Sequence, residues 1–296
     1  MSQTLETATS IIRVDLPAVK RNVERIRRHI GPDTEIMYVA KSNGYGNGIV
    51  EPAVFLKREP LAHLLSVLQA LPNLEVDGVF THLANAYSLD KSVTHAQQAL
   101  FEKALAQLRA AGICPRMTHM ANTAACVASP ECYYNAVRLA ALIFGHDISP
   151  GEQNRLHLEL ATSWRCYVLN TMWVNAGESV SYYRYYVPDR RTRIALVSFG
   201  MGDGYIRAAV SQDIRKNAEV LINGHRARLI DLNFDQTFVD ITDVPGEVNI
   251  GDVVTIIGRD GGEEITTTEI ADRAHTSNGN VCASITSRPF RQYIYE

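Results

Sequence analysis

Apolar and polar positions follow two different periods in the first half of the chain. Residues 11–16 alternate with a period of two, which is typical of a β-strand. Residues 16–30 and 91–111 instead repeat apolar side chains every three or four positions, which is typical of amphipathic helices. Because strand-like and helix-like stretches alternate, this half predicts parallel βαβ units, whose ligand sites lie at the carboxyl ends of the strands. Further strands are predicted at residues 36–40, 75–82, 117–120 and 135–140, and further helices around residues 50–58 and 61–71.

The pattern changes after about residue 155, where short β-branched runs recur with turn signals between them. The dipeptide Asn223-Gly224 separates two such runs and is a strong hairpin signal. Thr266 precedes a helical stretch and is a suitable N-cap. We therefore predict an α/β domain over residues 1–155 and a mostly β domain over residues 156–296. The predicted strands of the second domain are residues 164–172, 194–199, 219–222, 227–232, 238–242 and 252–257.

The composition is that of an ordinary globular protein and argues against several classes of partner. Hydrophobic residues make up 46% and charged residues 21% of the 296 residues, and the formal net charge is −3. This balance gives no reason to expect a nucleic acid or an anionic membrane as a partner. No apolar run approaches the roughly 20 residues that a membrane-spanning helix needs. The first residues also lack the basic and apolar segments of a signal peptide.

The cysteines point to a reducing compartment. They are five in number, scattered, and without the spacing of metal ligands. We therefore expect a cytoplasmic protein with free thiols and no bound metal. The five positions are Cys114, Cys126, Cys132, Cys166 and Cys282.

The candidate chemistry begins at Lys41, which follows the apolar run at residues 36–40 and precedes a turn with three glycines. A lysine at the end of a dry strand loses hydration of its charged form, so its pKa should fall, and the neutral amine can form a Schiff base with an aldehyde cofactor. The glycines allow a phosphate to approach the backbone, and the phenol of Tyr45 can donate a hydrogen bond to it. The alternative is a strand-end lysine that reaches solvent beside an ordinary turn.

The stretch Val39-Ala40-Lys41-Ser42-Asn43-Gly44-Tyr45-Gly46-Asn47-Gly48 resembles the V-x-K-A-N-A-Y-G-H-G motif of alanine racemases, which are fold-type III pyridoxal-phosphate enzymes. The resemblance continues almost to the last residue. It implies a (β/α) barrel that holds pyridoxal 5'-phosphate, a C-terminal β domain, and a homodimer acting on a small amino acid. The other matching stretches are Gly177–Tyr182, Asp235–Asp240, Gly251–Val254 and Gly261–Thr266.

The resemblance also implies roles for individual cofactor-binding residues. Lys41 would carry the cofactor, and Tyr45 would contact its phosphate. His82 would lie beside the ring, and Arg138 would donate a hydrogen bond to the pyridine nitrogen. The remaining matched positions are Asn122 and Thr123 in the phosphate loop, Ala140 and Ala141 after the arginine strand, and Ser287, which stands where the family has a phosphate-binding tyrosine.

Each of these residues also has an ordinary structural explanation. His82 could be a hydrogen-bonded core histidine, Asn122 a helix cap, and Arg138 a member of a surface ion pair. The spacing from Asn122 to Arg138 matches the family, and this match favours the functional interpretation.

The chain departs from the family in the barrel. Between Leu56 and Leu61 the family has several further βα units. Only about four units can be counted here, and four strands cannot close an eight-stranded barrel. Either the chain forms an open half-barrel, or the full protein contains a stretch that this chain lacks. In an open half-barrel, loops or a partner subunit must cover the exposed sheet edges.

A second departure concerns the group opposite Lys41. The resemblance implies that the family's second-base tyrosine belongs to the motif G-Y-A-D-G-x-x-R, which reads Gly200–Arg207 here, so Met201 occupies the position of the missing base. A thioether cannot exchange a proton. Tyr183, where the family usually has glycine, is the first candidate for a substitute acid, and Tyr182, Tyr185 and Tyr205 are others. On the substrate side, Phe234 and Asp235 stand in place of the family's Met-Asp.

Two functions remain open from the sequence. The first is a pyridoxal-phosphate-dependent amino-acid racemase-like isomerase that acts through Lys41. The second is a catalytically impaired paralogue that binds pyridoxal phosphate or a homologous partner without racemising. A head-to-tail homodimer is expected for the racemase, in which Met201 and Asp235 of one subunit approach Lys41 of the other.

Overall fold

The computed structural model describes residues 8–38, 65–66, 69–70, 75–146, 156–211 and 216–295. Its strands form two sheets, one of four strands and one of nine. The small sheet is parallel and has the order β2-β5-β4-β3. Its strands are β2 (Glu35–Tyr38), β3 (Gly78–Phe80), β4 (Met117–His119) and β5 (Ala136–Leu139), and the strand β1 (Ser10–Asp15) precedes them in the chain.

The helices begin where the sequence places them. Helix α1 (Leu16–Ile30) is capped by the Asp15 carboxylate, which accepts a hydrogen bond from the Ala18 N–H at 2.8 Å. Helix α2 (Ser92–Ala110) buries Phe101, Leu105 and Leu108 along one face. Both predicted helices are confirmed. The other helices are α3 (Thr123–Ala128), α4 (Thr267–Arg273) and α5 (Asn278–Ser284), and α4 has the predicted Thr266 cap.

Among the described residues, the small sheet has the form of an open barrel. Its first strand in the chain, β2, pairs with its last, β5, as the first and last strands of a closed barrel do. Strands β2 and β3 are then the two edges of the described sheet. They are consecutive strands of this sheet in chain order, and the βα units that the sequence lacks would come between them. The predicted barrel-like domain with four strands is therefore confirmed for the described residues.

The large sheet has the order β12-β11-β8-β9-β10-β7-β6-β1-β13, with a second pairing between β11 and β6. It contains β1, which is antiparallel to β6 and parallel to β13. The predicted Asn223-Gly224 hairpin joins β8 to β9, and both turn residues have positive φ, 52° and 75°. The strands are β6 (Thr162–Val174), β7 (Thr192–Val197), β8 (Glu219–Ile222), β9 (His225–Leu232), β10 (Thr237–Asp240), β11 (Val253–Asp260), β12 (Glu263–Ile265) and β13 (Phe290–Ile294).

An aromatic cluster lies in the core of the β domain. Trp164, Phe199 and Tyr205 are buried, and their ring centroids lie 5.2 to 6.1 Å apart in tilted or edge-to-face contacts. Tyr205, one of the candidate substitute acids, is thus a buried core residue. Within the described part of the chain, no helix combines the length and the apolar character needed to cross a membrane.

Candidate active site

Three side chains form a row across the parallel sheet near the carboxyl ends of its strands. Phe80 on β3 is the register partner of His119 on β4. His119 is in turn the partner of Ala136 on β5, and Arg138 lies two residues further along that strand. Because residues two apart on a strand point to the same face, Phe80, His119 and Arg138 share one face of the sheet.

Arg138 joins two histidines. Its Nη1 atom lies 2.9 Å from Nδ1 of His119, and its Nη2 atom lies 3.0 Å from Nδ1 of His82, which follows β3. A guanidinium group only donates hydrogen bonds, so both Nδ1 atoms must accept. Each histidine is therefore assigned as the neutral tautomer with its proton on Nε2. The predicted pair of His82 and Arg138 is brought together.

The surroundings of Arg138 are dry, and the described residues place no paired carboxylate there. Arg138 is 8% exposed, and burial lowers its pKa. Burial, and secondarily the positive charge of Arg138, lower the pKa of His119 to about 4. Among the described residues no carboxylate forms an ion pair with Arg138. A guanidinium has five N–H donors and the histidines use two, so donors remain for the acceptor atoms of a ligand.

Asn122 and Thr123 lie next to this group. The backbone N–H of Arg138 donates to the carbonyl of Ala121 at 2.9 Å, which ties β5 to the residue before Asn122. The Asn122 side chain accepts from the Ala125 N–H at 3.1 Å and caps helix α3. Asn122 is therefore a helix cap, the ordinary structural role considered for it from the sequence. Thr123 is the first residue of that helix.

The alanines predicted beside the cofactor follow β5 directly. Ala140 is buried, and Ala141 begins a 3-10 turn that ends at Phe144. These residues therefore lie just beyond the Arg138 strand. Lys41 and Tyr45 fall outside the described residues, as do Leu56, Leu61 and most of the predicted helices at 50–58 and 61–71.

The other predicted residues form a second group on the β domain. Tyr182, Tyr183 and Phe234 line one open depression together with Arg207. Phe234 is 77% exposed, Tyr182 is 73% exposed, and Tyr183 is fully exposed. Asp235 follows Phe234 and is also exposed.

Met201 lies behind this depression. Its backbone N–H donates to the carbonyl of Asn233 at 2.9 Å, and its side chain packs partly buried against the hydrophobic core. The close approach requires the preceding glycine, because a Cβ atom at Gly200 would lie 2.5 Å from the Asn233 oxygen. Ser287 is exposed beside the same turn, where the neighbouring Arg288 reaches the buried Asp203 carboxylate at 3.3 Å.

The turn that carries the two tyrosines is fixed by Asp231. The Ser181 hydroxyl donates to the Asp231 carboxylate, and Arg207 donates to it at 3.3 Å. Ser181, Tyr183 and Arg184 all have φ between 55° and 66°, a region that residues other than glycine rarely adopt. Strained backbone of this kind is often found at functional sites.

Neither His119 nor Phe80 is among the residues predicted from the sequence to form the site. His119 ends the strand β4, as His82 follows β3, so the rule that parallel strands place their carboxyl ends together could have identified it. Nothing in the sequence pattern indicates that the ring of Phe80 contacts both His119 and Arg138.

Comparison with protein families covers nearly the whole chain. The alanine racemase C-terminal domain matches residues 161–293. The alanine racemase N-terminal domain matches in two pieces, residues 14–62 and 55–147. The two pieces meet where the sequence predicts missing βα units.

Individual relatives agree with the family match. The chain is 39% identical to the alanine racemase of Symbiobacterium thermophilum over 76% of its own length and 59% of the relative's, so it spans about three fifths of that relative. It is 31% identical to the alanine racemase of Halothermothrix orenii over 97% of its own length and 70% of the relative's. The alanine racemase of Bartonella henselae with covalently bound pyridoxal phosphate shares the fold, with a TM-score of 0.79, 20% identity, and coverage of 97% of this chain and all of that one. The chain belongs to the alanine racemase family.

Proposed function

We propose that this chain is a pyridoxal-phosphate-dependent amino-acid racemase that acts on a small amino acid through Lys41. The observation that supports the proposal most strongly is the buried Arg138 guanidinium, held between two neutral histidines and without an ion pair among the described residues. Relatives named alanine racemase make alanine the first substrate to test.

The described residues fit the cofactor. Bound pyridoxal phosphate would withdraw electrons from the α-carbon of an attached amino acid and so make its α-hydrogen acidic. Arg138 has spare N–H donors for the pyridine nitrogen, and because it cannot readily give up a proton it would leave that nitrogen unprotonated. Lys41 and Tyr45 are proposed from the sequence as the covalent and phosphate contacts, and Thr123 and Ala141 would lie near the phosphate.

Racemisation needs a second proton-transfer group on the opposite face of the α-carbon. We place it at Tyr182, in preference to Tyr183 or the position of Met201. Tyr182 follows Ser181, whose hydroxyl is bound to Asp231, and its exposure of 73% is lower than that of Tyr183. Tyr183 is fully exposed, so its hydroxyl would be oriented only by another molecule. With a phenol at Tyr182, the thioether of Met201 need not prevent racemisation.

The two groups lie on different domains, and we propose that they meet in a head-to-tail homodimer. The exposed depression with Tyr182 and Phe234, followed in the chain by Asp235, would then face the Arg138 group of the partner. Phe234 and Asp235 would contact the substrate, and Ser287 would lie beside the phosphate.

We also propose a division into two domains, residues 1–155 and 156–296, with β1 crossing into the large sheet. The five cysteines are free, which supports the proposed cytoplasmic location.

A labelling experiment tests the proposal. The purified chain is incubated with pyridoxal phosphate, reduced with borohydride, and digested for peptide mapping. We expect one modified peptide, containing Lys41, and no modified peptide from the Lys41→Ala variant. Modification at other lysines only, or no stable adduct, would contradict the cofactor assignment. An adduct at Lys41 without any racemisation would support the impaired paralogue instead.

A further inference from the structure

The ring of Phe80 contacts two residues of the candidate site, His119 and Arg138. Its centroid lies 5.1 Å from that of His119, and the two ring planes differ by only 4°. The guanidinium carbon of Arg138 lies 5.1 Å from the same Phe80 centroid. One aromatic ring therefore stacks on a histidine and contacts the arginine to which that histidine is bound.

The sheet fixes this arrangement. Phe80 and His119 are direct register partners on parallel strands, and Arg138 is on the next strand. Phe80 is 61% exposed, although phenylalanine is usually buried to remove its surface from water. Phe80 lies on β3, an edge strand of the described sheet, so part of this exposure comes from the open edge, while one side of its ring contacts His119 and Arg138.

We propose that Phe80 is a positioning residue, which holds the His119 imidazole in its plane and supports the Arg138 guanidinium without occupying its N–H donors. The face of an aromatic ring carries partial negative charge and attracts a cation. A carboxylate at this place would also attract Arg138, but it would accept the N–H groups that a ligand needs. An aromatic ring stabilises the charge and leaves those donors available.

The positioning role of Phe80 follows from its own contacts with His119 and Arg138. The identity of the acceptor that Arg138 serves rests on the proposed function. The experiment therefore needs one readout in the ligand-free protein and one with pyridoxal phosphate.

The test compares Phe80→Leu, which removes the ring, with Phe80→Tyr, which keeps it; the exposed ring edge leaves room for the added hydroxyl. Phe101→Leu is the matched control, because it removes a buried phenylalanine of helix α2 that packs edge-on against Tyr134. His119 is titrated by NMR in the full chain without ligand. The dissociation constant for pyridoxal phosphate is measured by fluorescence.

In Phe80→Leu the pKa of His119 should rise toward its ordinary value of 6.5, because water reaches the imidazole and Arg138 is less firmly held. Binding of pyridoxal phosphate should weaken roughly two- to fivefold, the range expected for an exposed cation–π contact. Phe80→Tyr should resemble the parent protein in both measurements, and Phe101→Leu should change neither.

The proposal is overturned if Phe80→Leu leaves the His119 titration unchanged, or if Phe80→Tyr behaves like Phe80→Leu. If Phe80→Leu does not fold, Phe80→Met gives the same comparison with an unbranched side chain. If the parent protein does not bind pyridoxal phosphate, the proposed function fails, while the His119 titration still decides the role of Phe80.

Discussion

Arg138 Nη1 lies 2.9 Å from His119 Nδ1, and this contact requires the histidine to be neutral. The same guanidinium imposes the same tautomer on His82 through its Nη2 atom. The described part of the candidate site thus holds the Arg138 charge and two histidines whose remaining N–H groups are on Nε2. Such a site favours a ligand that offers acceptor atoms in place of a carboxylate from the protein.

Replacing Arg138 by lysine should weaken cofactor binding. A lysine ammonium lacks the planar fork that reaches both histidines and a ligand atom together. Loss of a charged hydrogen bond should cost about tenfold or more in the dissociation constant for pyridoxal phosphate, measured by fluorescence titration. Arg116→Lys is the control, because Arg116 is an exposed arginine that pairs with Asp77. Equal binding by the parent and Arg138→Lys would exclude Arg138 from the cofactor site.

The two neighbouring tyrosines can be separated by removing one hydroxyl at a time. Tyr182→Phe should slow racemisation by about 10²–10⁴-fold, the usual effect of losing a positioned proton donor. Exchange of the α-hydrogen with solvent needs only the Lys41 side and should be affected less. Tyr183→Phe should leave both rates near those of the parent. If Tyr183→Phe racemises more slowly than Tyr182→Phe, Tyr183 is the second acid instead.

The fold was more predictable from the sequence than its sheet pairings. Residues 16–30 and 91–111 show helical periodicity together with local cap or core signals, and both helices form. The Asn223-Gly224 turn is likewise a local signal. The position of β1 in the large sheet was not predictable, because alternation over residues 10–15 indicates a strand but not its partners. Those partners, β6 and β13, are roughly 150 and 280 residues away along the chain.

The site was predictable only where a motif marks it. Asn122 and Arg138 lie at strand ends with a matched spacing, and His82 lies at another strand end. In the structure His82 contacts Arg138, and Asn122 follows the residue that is bound to the Arg138 backbone. Phe80 and His119 contribute through contacts across strands, which depend on register. The resemblance indicates Met201 as the key position, whereas Tyr182 lines an exposed depression that also includes Asn233, whose carbonyl accepts from the Met201 N–H.

A mixed dimer tests whether the two halves of the site come from different subunits. One subunit carries Lys41→Ala and the other Tyr182→Phe, and neither homodimer should racemise well. If Lys41 and Tyr182 meet across the interface, the mixed dimer has one intact site and should recover about half of the parent activity per dimer. If both residues act within one subunit, no intact site forms and activity stays at the level of the homodimers. Differently tagged subunits allow the mixed species to be purified.

A buried histidine between the two halves of the chain predicts sensitivity to acid. His146 is fully buried and lies 3.0 Å from the hydroxyl of Thr267, measured from its Nδ1 atom. Burial lowers the pKa of His146 to about 4, from an ordinary 6.5. The unfolded chain therefore binds this proton first, and stability is lost as the pH falls from about 6.5 toward 4.

The expected loss from His146 between pH 7.5 and pH 5 is about 2 kcal/mol of unfolding free energy, measured by urea denaturation. His146→Gln does not titrate and can still bond to Thr267, so it should reduce this pH dependence. His29→Gln is the control, because His29 is exposed on helix α1. An unchanged pH dependence in His146→Gln would show that other groups cause the acid sensitivity.

The most direct test of the central claim is to incubate the purified chain with pyridoxal phosphate and L-alanine in deuterated water. Loss of the α-hydrogen is followed by NMR, and formation of D-alanine by chiral chromatography. The proposed function predicts that deuterated D-alanine appears, that exchange and racemisation both vanish in Lys41→Ala, and that Tyr182→Phe retains exchange while losing most racemisation. Exchange without D-alanine in the parent protein would contradict the assignment of a racemase, and the absence of both for alanine and other small amino acids would contradict the proposed catalytic function altogether.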